Sequence, residues 1–158
     1  MQFSSKEDIE APIGSVFSAI SDFETFERAA MRRGIEVSRV DEHAPVATGL
    51  AWQTRFSLRG RPRDLRLVLT QLRQPDSLAL AFDSKGLDGT VEIDLLALSP
   101  RRTRLALALT LEPKTLSARL FVQSLKLARN NLTRKFRLRL AEYAKELEDR
   151  LNRKTKGA

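Results

Sequence analysis

The sequence predicts one α+β domain: an antiparallel sheet of six or seven strands, two short helices after the first strand, and one long C-terminal helix. Three observations carry this. The apolar period is two over most of residues 35–111. It becomes three to four from residue 116 onward. The strand-like runs follow one another through short turns, which makes them antiparallel neighbours and not parallel strands with crossovers. At 158 residues the chain has the length of a single folded unit. A chain of this size buries roughly two-thirds of its unfolded surface, so it needs no covalent staples.

Each element has its own signal. Phe3, Ser5, Glu7 and Ile9 alternate with Gln2, Ser4, Lys6 and Asp8 in a first strand. Ala11-Pro12 ends it, and Pro12 suits the first turn of a helix. Val16, Phe17 and Ile20 are spaced for a short helix ending near Asp22. A second helix is expected over Glu24 to Arg33, with Gly34 as its stop. Ile35 and Val37 open the next strand. Trp52, Thr54, Phe56 and Leu58 then alternate with Gln53, Arg55, Ser57 and Arg59. Gly60-Arg61-Pro62 reads as the turn into Leu65, Leu67 and Leu69. Leu78, Leu80 and Phe82 follow, then a loop at Gly86 and Gly89, then Val91, Ile93 and Leu95. The last strand runs from Thr103 to Leu111, with leucine at 105, 107, 109 and 111.

Beyond Pro113 the stripe Phe121, Leu125, Ala128, Leu132, Phe136, Leu140, Tyr143, Leu147 and Leu151 predicts one helix over residues 116–152. Such a helix is roughly 55 Å long, against roughly 25–30 Å for the strands. Its last turns are therefore expected to overhang the sheet. There Tyr143, Leu147 and Leu151 would need a homodimer contact or a fold-back onto the short helices. The domain is expected to span 1–152, with 153–158 a disordered basic tail.

Composition narrows the chemistry. Hydrophobic residues at 42% and charged residues at 30% describe a soluble globular chain, not a disordered one. No cysteine is present, so disulfides, thiolate metal sites and cysteine nucleophiles are excluded. The one histidine, His43, excludes multi-histidine zinc sites. It lies in the loop Asp41-Glu42-His43-Ala44-Pro45 and reads as solvated; neither a metal nor a cofactor is expected. Lys6, Glu7, Asp8 and Glu10 occupy the place where a signal peptide needs an apolar core. The longest apolar runs, Leu78 to Phe82 and Leu105 to Leu111, fall far short of the ~20 residues of a spanning helix. A cytoplasmic protein is the expectation.

The net charge of +8 is local. Residues 1–116 hold 16 Lys/Arg and 16 Asp/Glu, whereas residues 117–158 hold 12 and 4. The whole excess therefore sits in the C-terminal quarter, as a solvated helix face or as a contact for an anionic partner. Arg59, Arg61, Arg63 and Arg66 also crowd one hairpin. Nucleic-acid binders interleave such patches with aromatic platforms. Here the sheet aromatics point inward and Tyr143 lies on the apolar stripe, so specific nucleic-acid recognition is not expected. A weak contact with an anionic membrane surface remains compatible with the charge.

Ile9-Glu10-Ala11-Pro12 before Val16-Phe17, then Ile20-Ser21-Asp22, together with the element order, resembles the START-like helix-grip superfamily, the polyketide cyclase/dehydrase and lipid-transport proteins. The resemblance covers nearly the whole chain. It implies a sheet curled around the C-terminal helix, enclosing an apolar cavity for lipids, polyketides, hormones or aromatic ligands. It carries no shared catalytic motif.

Alternation places an almost wholly apolar face toward that helix, with Thr54 its one polar member. Trp52, Thr54, Phe56, Leu67, Leu80, Phe82, Ile93 and Leu107 from the sheet, with Phe121 and Leu125 from the helix, are the candidate ligand-binding residues. Glu7, Arg39 and Gln71 fall on strand margins. Glu7 and Arg39 are the candidate polar pocket residues, able to meet a ligand hydroxyl or carboxylate. The expected function is non-catalytic binding or transport of an apolar small molecule, a lipid, isoprenoid or polyketide-like compound, between sheet and C-terminal helix. One alternative is a cyclase/dehydratase-type enzyme using Glu7 or Asp22. The other is an interaction module that presents its basic C-terminal helix to a partner.

Overall fold

The computed structural model describes residues 1–156. In chain order the elements are β1 (Gln2–Ile9), α1 (Ile13–Ile20), α2 (Phe23–Arg32), β2 (Glu36–Arg39), β3 (Ala51–Leu58), β4 (Arg61–Arg73), β5 (Ser77–Ser84), β6 (Leu87–Ser99), β7 (Arg102–Pro113), α3 (Leu116–Leu127) and α4 (Arg129–Lys156). The sheet is ordered β1-β7-β6-β5-β4-β3-β2 and every neighbouring pair is antiparallel. It is not closed, because β1 and β2 remain its two edges.

Local chemistry sets the boundaries. Pro12, at φ −62°, precedes the first turn of α1. Asp22 caps α2 by accepting from the Thr25 amide at 3.4 Å and the Thr25 hydroxyl at 2.6 Å. The hydroxyl contact holds the Asp22 carboxyl below its usual pKa. β3 and β4 join through Arg59 and Gly60, both at positive φ, and β5 and β6 through Lys85 and Gly86, likewise. Such two-residue turns match the twist of a hairpin. The first turn therefore precedes the expected Gly60-Arg61-Pro62 by one residue. The second shortens the expected Gly86/Gly89 loop, because Gly89 is a buried residue within β6. The Phe82 ring and the Thr110 carbonyl occupy the place where a Cβ of residue 89 would stand. Only glycine lets that ring lie against the strand.

A register shift in β4 changes which residues face inward. Leu69 pairs with Leu80, but Gln71 pairs with Ala79 and Leu72 with Leu78. The extra residue flips the alternation. Leu72, and not Gln71, therefore joins the core beside Leu69.

The C-terminal helix departs from expectation in two ways. It is interrupted at Ala128, whose φ −101° and ψ 16° leave the helical region. α3 buries Ala118 and Val122 and packs on β7, whereas α4 lies along β1. Ala128, expected on the apolar stripe, is exposed. Second, the last turns do not overhang. Leu147 is fully buried with Ile9, Val16, Phe17, Ile20, Leu95, Leu105, Leu140 and Ala144. Tyr143 meets Phe26 of α2 at 6.1 Å between ring centres. The stripe thus folds back onto the two short helices, and the Glu10 amide donates to Glu148 at 2.7 Å across the same joint. α4 continues to Lys156, so the first part of the expected 153–158 tail is helical; its last two residues lie outside the described residues.

Two cores result. One joins α1, β1, β6, β7 and α4. The other joins α2 to the middle of the sheet through Phe23, Leu50, Trp52, Leu69 and Leu78. Leu72 and Ile93 touch both.

Candidate functional site: an apolar cleft beneath α2

Phe23, Phe26, Glu27 and Ala30 recur at i, i+3, i+4 and i+7, which sets them on one face of α2. That face looks onto the inner surface of β2 to β6, but it does not close against it. Between them lies a cleft of about 490 Å³. Ile20, Phe23, Phe26, Glu27 and Ala30 form one wall; Ile35, Val37, Trp52, Thr54, Phe56, Leu65, Leu67, Leu78, Leu80 and Ile93 form the other. The volume lies in the range of small-molecule sites. Two other concavities are as large, about 520 and 590 Å³, but polar and charged groups such as Arg134, Arg137, Glu7, Glu92 and Asp94 line them.

The polar groups of the cleft are few and already organised. The Thr54 hydroxyl donates to the Leu65 carbonyl at 2.9 Å, so this buried residue presents no free donor. Glu27 Oε2 accepts from Trp52 Nε1 and from Arg39 Nε, each at 2.7 Å. The two side chains of the ion pair are only 17% and 22% exposed, which limits its screening by solvent. Phe23 packs against Trp52 at 5.3 Å with the rings tilted by 59°. Glu27 Oε1 has no hydrogen-bond partner among the described residues. The result is a nearly apolar chamber with one carboxylate whose charge is balanced by Arg39 and whose position is fixed by two donors.

The expected site residues divide. Trp52, Thr54, Phe56, Leu67, Leu80 and Ile93 line the cleft. Phe82 does not, because its ring is committed to Gly89. Leu107 packs against the other core and lines the concavity beside β1. Phe121 and Leu125 are on α3 over β7, and no lining residue comes from α3 or α4. The roof is α2, not the C-terminal helix. Arg39 reaches the cleft only through Glu27. Glu7 lies opposite Leu105 on β1, in the concavity with Lys6, Glu92, Asp94 and Arg137. Asp22 is occupied as a helix cap. The two carboxylates considered for catalysis therefore do not converge on the cleft. Glu27 was missed. Its signal was the α2 face itself, where one acidic residue interrupts Phe23, Phe26 and Ala30.

This architecture, a seven-stranded antiparallel sheet with two short helices after its first strand and a long C-terminal helical arm, is the START-like helix-grip fold. Solved structures share it. The Zhui aromatase/cyclase from Streptomyces sp. R1128 superposes with a TM-score of 0.64 at 15% identity, over 96% of this chain and 95% of that one. A truncated norcoclaurine synthase from Thalictrum flavum gives 0.63 at 8% identity, covering 81% and 82%. A START superfamily protein from Mycobacterium smegmatis gives 0.55 at 13% identity, covering 85% and 95%. At such identities the likeness is one of fold. Neither a protein-family model nor a curated protein matches the sequence.

Proposed function

We infer that the protein binds a neutral, largely apolar small molecule in the cleft beneath α2, oriented by a hydroxyl or phenol donating to Glu27. The observation that carries this reading is the contrast within one wall: an apolar chamber of about 490 Å³ interrupted by one fixed carboxylate. Apolar burial supplies affinity at roughly 0.8 kcal/mol per methylene. The carboxylate supplies orientation, because a ligand donor there gains a charge-assisted hydrogen bond. Arg39 already compensates the negative charge, so a neutral donor fits better than a second cation. An aromatase/cyclase, and a norcoclaurine synthase in complex with dopamine and hydroxybenzaldehyde, are among the structural neighbours and support this reading. The same neighbours keep a cyclase- or dehydratase-type enzyme as the second reading. It would need a second titratable group beside Glu27, and neither Glu7 nor Asp22 lines the cleft.

Native mass spectrometry of the purified protein, followed by extraction, tests the proposal. The expected result is a hydroxylated apolar compound that the Phe56→Ala variant retains less well. Release of an anionic, highly polar compound from the intact fold would overturn it.

A further inference from the structure

α3 has two apolar faces, and among the described residues only one is covered. Ala118 and Val122 are buried against β7. On the opposite side Leu116, Leu120 and Leu127 are 73%, 65% and 92% exposed. At 3.6 residues per turn these three leucines fall within about 40° of one another, a ridge along the helix. Thr115 caps the helix by accepting from the Ala118 amide at 3.2 Å, so the ridge is held on a formed element. Leu116 and Leu120 are neighbours one turn apart, and Leu127 stands two turns further on beyond the exposed Gln123 and Ser124. Large leucines at this exposure are unfavourable in water, and a polar-rimmed group of them marks a contact site.

The charge around the ridge selects its partner. Residues 114–139 contain eight Lys/Arg and no Asp/Glu. Arg119 and Lys126 stand on one flank of the ridge, and Lys114 precedes it. Arg129, Arg134, Lys135, Arg137 and Arg139 follow on the first turns of α4, all exposed, with Leu138 at 57% exposure among them. A second copy of the chain would bring the same cations face to face. An RNA or DNA strand would leave the leucines without a use. An anionic lipid surface satisfies both, since leucines enter the acyl boundary while cations meet the headgroups. Among the described residues no helix is long and apolar enough to cross a membrane, which suits a surface contact.

The geometry points to α3 and the start of α4 as a reversible docking surface for anionic membranes. This does not rest on the ligand proposed for the cleft, because the ridge shares no residue with it. Pelleting with sucrose-loaded vesicles tests it, using phosphatidylcholine alone and phosphatidylcholine mixed with phosphatidylserine. The wild type should pellet with the mixed vesicles, remain in solution with the neutral ones, and dissociate as salt rises. Leu120→Ser with Leu127→Ser should abolish pelleting while leaving the circular dichroism spectrum and melting temperature unchanged. Arg119→Gln with Lys126→Gln should weaken partitioning by about 25-fold, the equivalent of ~1 kcal/mol for each basic residue near an anionic surface. Leu96→Ser, at a 59% exposed leucine on β6, should change nothing. Failure of the wild type to bind the mixed vesicles would overturn the inference, as would undiminished binding by the double leucine variant. Concentration-dependent dimerisation that the leucine variant abolishes, without vesicle binding, would assign the ridge to a second copy instead. Retention on single-stranded DNA without vesicle binding would assign the charge to nucleic acid.

Discussion

Replacing Glu27 by alanine should destabilise the protein through what it leaves behind. Trp52 is 4% exposed, and its indole N–H has Glu27 Oε2 as its acceptor at 2.7 Å. Removing the carboxylate strands that donor in an apolar wall, at a cost of about 1–3 kcal/mol. The Arg39 pair adds less, because about a fifth of each side chain is exposed and part of its charge is screened; roughly 0.5–1 kcal/mol is a fair share. Together the loss is about 1.5–4 kcal/mol. For a domain of this size that lowers the melting temperature by roughly 3–16 °C. Glu27→Gln keeps an acceptor oxygen and should lose less than half as much. The assay is urea unfolding followed by Trp52 emission. A double-mutant cycle with Trp52→Phe, read by circular dichroism, would isolate the pair, with a coupling of about 1–2 kcal/mol expected. A Glu27→Ala protein as stable as the wild type, or a cycle with no coupling, would refute the assignment of Glu27 as the polar anchor of the cleft.

Other outcomes follow from the core. Leu147→Ala should cost about 2–5 kcal/mol, since Leu147 is fully buried, whereas the exposed Leu138→Ala should be near neutral; urea midpoints compare them. Gly89→Ala should cost about 1–3 kcal/mol by forcing both the Phe82 ring and the Thr110 carbonyl away, and an unchanged midpoint would contradict that packing. Burial pushes the Tyr143 phenol up to about 12, and its hydroxyl has no hydrogen-bond partner among the described residues. Because the folded pKa exceeds the unfolded value near 10, stability should be flat below that pH and fall by roughly 2–3 kcal/mol as pH rises toward 12. Tyr143 is the sole tyrosine, so ultraviolet absorbance reports it directly, and Tyr143→Phe should remove this component without loss of stability.

The strands and their inner faces were legible because alternation is a local signal. Trp52, Thr54 and Phe56 could be turned inward from their own neighbours, and the cleft is lined by them. What was not legible depends on contacts distant in sequence. The bulge between Leu69 and Gln71 exchanges Gln71 for Leu72, and no residue there announces it. The position of α4 depends on β1 and α1, over a hundred residues upstream, so a length argument could not choose between a homodimer contact and the fold-back that the structure shows. The roof of the cleft was assigned to the long helix through the resemblance, although the α2 face was readable in Phe23, Phe26 and Ala30. Glu27 went unnoticed for the same reason: a charged residue on a short helix reads as solvent-facing until Trp52 and Arg39 are seen to meet it.

Whether Glu27 orients a ligand in the cleft is tested by titration of Trp52 emission with matched pairs of apolar ligands, each an alcohol or phenol beside its hydrocarbon, for wild type and Glu27→Gln. Trp52 is the sole tryptophan, lines the cleft and donates to Glu27, so a ligand entering there must perturb it. The expected result is saturable change, little salt dependence, and a preference of about 10-fold or more for the hydroxylated member, from a hydrogen bond to a charged group. That preference should shrink in Glu27→Gln while hydrocarbon binding persists. If every apolar compound leaves Trp52 emission unchanged, the cleft is not a ligand site. If binding saturates with no preference in either protein, Glu27 does not orient the ligand.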